Sequence, residues 1–122
     1  MKALFSAFVA LFITFSAVAQ QAQFAGGQKG ITLANAKAEY SFVITDLTIA
    51  DIDKAAAMYK TSFTVTERVQ KGNNINITIK MLRNDIATKR MMLRFMVSLN
   101  IQYVTLDGVE YKPDAFFDKY IK

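Results

Sequence analysis

The chain has 122 residues with one proline and no cysteine, histidine or tryptophan, and its formal net charge is +5. Those absences exclude disulfides, thiolate metal sites, cysteine nucleophiles, Ser-His-Asp triads and imidazole-based zinc or copper centres. The length suffices for one domain.

Met1-Lys2 give a positive start, and ALFSAFVALFITFSAV then runs from Ala3 to Val18 without a charge. Ala17-Val18-Ala19 has the small-x-small form of a signal-peptidase site, which predicts cleavage before Gln20. The uncharged run is about 16 residues, short of the roughly 17–25 that span a bilayer, and glutamines follow it. The expected product is exported, to the periplasm or outside the cell, without a stable membrane anchor. Loss of Lys2 leaves a formal charge of +4.

Residues 20–38 (QQAQFAGGQKGITLANAKA) are rich in Gln, Ala and Gly without a sustained period, and read as a flexible leader to a domain over 39–122. In residues 39–47, Tyr40, Phe42 and Ile44 alternate on one face of a strand. Thr48-Ile49-Ala50-Asp51 has the spacing of a capping box, and Ile49, Ile52, Ala56 and Tyr59 recur at helical intervals to about Lys60. Phe63, Val65 and Val69 alternate in a second strand. Ile75, Ile77, Ile79 and Met81 alternate in a third, with Lys71-Gly72-Asn73-Asn74 as the turn between them. The outward face of the second strand is assigned Thr64, Thr66, Arg68 and Gln70.

Asn84 is placed to cap a second helix over 85–99. Residues 101–106 make a fourth strand, Asp107-Gly108 a tight turn into a short edge strand over 109–111, and Pro113 opens a last helix. The order predicts an α+β, ferredoxin-like βαββαβ fold. Its four-stranded antiparallel sheet would carry two helices on one face, followed by a short C-terminal hairpin and helix.

The segment Asp46-Leu47-Thr48-Ile49-Ala50-Asp51-Ile52, at the join of the first strand and helix, resembles the metal-binding loop of the heavy-metal-associated, copper-chaperone-like family. Leu47 stands where that family has methionine, and Ile49 and Ile52 stand at its two cysteine positions. Leu99-Asn100-Ile101 falls where the family closes its second helix with Gly-Tyr. The resemblance implies the scaffold without its thiolate site, because isoleucine offers a metal no lone pair. Ile49 and Ile52 are expected to fasten the helix to the sheet.

Five methionines follow the leader, and Met92 and Met96 share a helical face where two thioethers could hold a soft ion. Asp46, Asp51 and Asp53 cluster at the first helix, where negative charge is favourable without any metal. Arg83, Lys89, Arg90 and Arg94 make the second helix basic, and export removes nucleic acid as the natural partner. That helix has two apolar flanks. Ile86, Leu93 and Val97 are assigned to the core. Met91, Met92, Phe95 and Met96, joined by Phe116 and Phe117, are assigned to an interaction surface. The reading is an exported non-enzymatic domain without cofactor or metal, binding a protein partner or itself. The alternative is a copper-type metal handler using methionine ligands.

Overall fold

The computed structural model describes residues 20–122; the leader read over residues 1–19 lies outside the described residues. Residues 20–38 are not a flexible leader. They form strand β1 (Gln20–Phe24) and helix α1 (Gly27–Lys37). Ala22 and Phe24 turn alternate positions of β1 into the core, and Ile31 and Ala34 do the same for α1. Gly26 and Gly27 make the turn between them at φ 101° and 63°, a region that side chains resist.

The chain continues through β2 (Glu39–Thr45), α2 (Ile49–Ala56, closed by a 3₁₀ turn Ala57–Tyr59), β3 (Phe63–Lys71), β4 (Asn74–Met81) and α3 (Ile86–Ser98). It ends with β5 (Ile101–Leu106), β6 (Val109–Tyr111) and α4 (Pro113–Tyr120). The strands form one six-stranded mixed sheet in the order β3-β4-β2-β1-β5-β6. This overturns the four-stranded antiparallel ferredoxin-like expectation. In that arrangement β2 and β5 would be neighbours. Here β1 stands between them, antiparallel to β2 (Ala22 opposite Ile44) and parallel to β5 (Ala22 opposite Val104). Among the described residues four α-helices accompany the sheet, where two on one face and a short C-terminal one were expected; the addition is α1.

Alternation divides the sheet into two faces. Phe24, Tyr40, Phe42, Ile44, Ile75 and Ile77 are among the residues of the covered face. Phe116 of α4 packs at 6.4 Å from the rings of both Phe24 and Phe42, and Phe95 of α3 meets Phe63 edge-on at 5.3 Å. The other face is polar and half-exposed, with Ser41 and Thr78 hydroxyls joined across β2 and β4 at 3.0 Å.

The β3–β4 hairpin turns at Gly72, φ 62°, as its sequence predicts. Its face assignment needs one correction. A bulge at Thr66 shifts the register between Val65 and Glu67. An extra residue reverses the alternation beyond it. Glu67 therefore pairs across from Thr78 on the open face, while Arg68 turns to the helical side and meets Asp53 of α2 at 2.9 Å. The predicted capping box is present: Asp51 N–H donates to Thr48 Oγ1 at 3.1 Å, and Thr48 N–H donates to Asp51 Oδ2 at 3.0 Å. Asp85, not Asn84, caps α3, accepting from Thr88 N–H at 2.7 Å.

Candidate interaction surface

At 100° per residue, Ile86, Arg90, Leu93 and Val97 fall within one narrow sector of α3. Thr88, Met92, Phe95, Met96 and Leu99 fall on the opposite side. The structure buries that second set: Met92, Phe95 and Met96 are fully enclosed. Ile86 is 50% exposed and Val97 62%, with Leu93 half-buried between them. The two flanks are thus exchanged relative to the sequence assignment. Phe116 and Phe117 are also core, and Met91 is half-buried beside it. The physical reason is volume. Tyr59 and Phe63 offer α3 an aromatic wall, and Phe95 fills it at 6.3 Å and 5.3 Å. The exposed sector could have been found in the sequence, because Arg90 lies in its middle and Arg94 at its margin.

Two grooves run beside the exposed sector. One, of about 330 Å³, is lined by Ile86, Arg90, Phe117, Asp118, Ile121 and Lys122. The other, of about 470 Å³, includes Leu93, Val97, Tyr103, Lys112, Pro113 and Asp114. Arg90 reaches Asp118 only at 3.9 Å, and among the described residues Arg94 has no ion-pair partner. Arg83 lies 3.5 Å from Asp85, outside the grooves.

Lys89 does not belong to a basic surface at all. It is 1% exposed, and its ammonium donates to the main-chain oxygens of Asn35 (3.2 Å) and Lys122. Burial lowers its pKa from the ordinary value near 10.5, opposed by the charge of Asp85. Asn35 ties the same region together. Its side-chain oxygen accepts from the Tyr40 hydroxyl at 2.6 Å, and its amide donates to Tyr120 O at 2.7 Å. Burial raises the Tyr40 pKa above its ordinary range. The network is a fastening between α1 and the C-terminal segment.

A further cleft, of about 580 Å³, lies between α2 and the C-terminal end of α3. Gln20, Asp46, Asp51, Lys54 and Asn100 are among its lining residues. With Nε2 turned towards them, Gln20 donates to Leu99 O and Asn100 O, both at 3.2 Å. The three sequence-adjacent aspartates are not brought together: Asp46 and Asp51 line the cleft, while Asp53 pairs with Arg68. Asp51 is committed to the Thr48 cap, whose hydrogen bonds hold its carboxyl below the usual range. Ile49 is half-buried and Ile52 wholly buried under α2, as fasteners of the helix.

Met92 and Met96 lie inside the core, where their thioethers pack. Among the described residues there is no group of three His, Cys, Asp or Glu arranged to hold a metal ion, and no helix long and apolar enough to cross a membrane. No known protein family, curated protein or solved structure matches this chain.

Proposed function

We propose that this chain is an exported, non-enzymatic binding domain that presents the outer sector of α3 to a partner protein. The observation that carries the reading is the exposure of Ile86 and Val97 on a helix whose other side is fully packed. A helix against a sheet needs one buried stripe. A second apolar sector, grooved on both sides and left in water, supports contact with another macromolecule. Export rests on the basic start, apolar run and Ala17-Val18-Ala19 site of the leader.

The test is a photo-crosslinking amino acid placed at Val97, with Thr64 on the open sheet face as control. Crosslinking is carried out in cells exporting the full chain. A reproducible adduct at 97 and none at 64 supports the reading. Monomer alone at 97, with the variant secreted and folded, overturns it. Intact mass of the secreted protein checks the leader independently, with Gln20 as the expected first residue.

A further inference from the structure

The two edges of the sheet differ. At one end β6 is three residues long; at the other β3 has nine, and from Thr66 to Lys71 every one of them is exposed. Among the described residues no strand lies outside β3, so its outer row of main-chain N–H and C=O groups is a template for a further strand. Val69, in the middle of the exposed stretch, is 42% exposed.

What can join this edge is set by Glu67-Arg68-Val69-Gln70-Lys71. Beyond the Thr66 bulge, Glu67, Val69 and Lys71 share the open face, opposite Thr78, Asn76 and Asn74 of β4. Arg68 is occupied on the other face by Asp53. Glu67 accepts a hydrogen bond from the Thr78 hydroxyl at 3.1 Å, but neither it nor Lys71 has an ion-pair partner among the described residues.

Two copies of β3 meeting antiparallel about a two-fold axis must set residues of one face against residues of the same face. The axis therefore passes through a residue. On Val69 it sets Glu67 of each copy against Lys71 of the other. On Glu67, Arg68 or Lys71 it sets a charge against its own like, and on Gln70 it sets Lys71 against Val69. One register alone gives two opposite-charge pairs and no like-charge pair. Charged residues and a bulge ordinarily keep strands off an edge. Here the charges reject the other registers and admit this one.

We propose that two copies of this chain pair through their β3 edges, antiparallel and centred on Val69, joining two six-stranded sheets into one. The five-residue overlap supplies about four to six main-chain hydrogen bonds. So small an interface makes a weak, concentration-dependent dimer. The pairing is independent of α3, and Thr64 lies five residues from the axis, beyond the paired segment.

The experiment uses the full-length gene product purified after export. Sedimentation velocity should show the apparent mass rising from one chain towards two between about 20 μM and 1 mM. Glu67→Lys and Lys71→Glu should each remain monomeric at about 1 mM, since each makes both pairs like-charged. Mixed together, the two variants should associate at least as tightly as wild type, because each then faces the other's opposite charge. All three positions altered in these tests are exposed, and circular dichroism checks that each variant folds.

The register has its own readout. The chain has no cysteine, so Val69→Cys places a single thiol directly opposite its own copy, where opposed Cα atoms lie about 4.5–5.5 Å apart, within disulfide reach. In Lys71→Cys the two thiols would be roughly 13 Å apart at about 3.3 Å per residue. Under oxidised glutathione the first should form a disulfide dimer about tenfold faster than the second. A wild-type chain that stays monomeric at about 1 mM overturns the proposal. So do a dimer that survives Glu67→Lys, variants that fail to associate on mixing, and equal disulfide rates. Association abolished by Val97→Asp but untouched by Glu67→Lys would give it to α3 and overturn the proposal as well.

Discussion

Phe95 and Val97 are two residues apart on α3 and lie in opposite environments, one enclosed and the other 62% exposed. Truncation should separate them. Phe95→Ala removes a ring packed against Tyr59 and Phe63, and should cost about 3–5 kcal/mol in transfer and cavity terms. That is a large share of the roughly 5–15 kcal/mol by which such domains are stable. Val97→Ser should stay within about 0.5 kcal/mol of the wild type. Parallel thermal melts decide it, and a Val97→Ser protein that melts as early as Phe95→Ala would reverse the assignment. Lys89 gives a second residue-scale prediction. Its folded pKa lies below the unfolded value near 10.5, so between those two values the unfolded chain binds more protons. Stability should therefore rise with pH through that interval, and Lys89→Met should flatten the rise. Urea midpoints measured from neutral pH to pH 10.5 show it; an unchanged slope in the variant would assign the dependence to other groups.

Among the elements, those with strong local patterns were legible in sequence and those held by distant partners were not. The β3–β4 hairpin has alternating isoleucines around Gly72, and α2 has a complete capping box, so both could be read from neighbours alone. In β1 the alternation is confined to Ala22 and Phe24, and glutamines hold the other positions. Its pairing to β2 and β5 comes from the tertiary structure, which overrides so weak a signal. The Thr66 bulge was hidden for a related reason, because an extra residue in one strand is visible only against its partner. The placement of β1 predicts a sharp contrast within it. Ala22 is wholly buried, and Ala22→Asp would sink an unpaired carboxylate between Ile44 and Val104, preventing folding. Gln23 is exposed on the open face, and Gln23→Asp should fold with wild-type circular dichroism. Two equally folded variants would mean that residues 20–24 are not part of the sheet.

At the scale of the whole molecule, β1 is what makes the sheet one object. Remove it from the order and β3-β4-β2 is no longer joined by hydrogen-bonded strands to β5-β6. The candidate surface inherits this dependence, because α3 connects β4 on one side of β1 to β5 on the other. Sequence periodicity exposed the apolar excess of α3 correctly. Apolar periodicity alone does not say which flank is wet; Arg90 and Arg94 mark that flank in the sequence, and the aromatic wall of Tyr59 and Phe63 fixes the opposite one in the core. The same topology sets a kinetic expectation. The β3–β4 and β2–β4 pairings join nearby segments, whereas β1 pairs Gln20 with Ile101 and must close a loop of most of the domain. Insertion of β1 should therefore be late, with refolding in milliseconds to seconds rather than microseconds. Ala22→Gly weakens β1 without adding bulk or charge, and its destabilisation should appear mainly as faster unfolding. Stopped-flow refolding and unfolding in urea reads the partition directly. A variant that folds several-fold more slowly, yet unfolds at the wild-type rate, would place β1 in the folding nucleus instead.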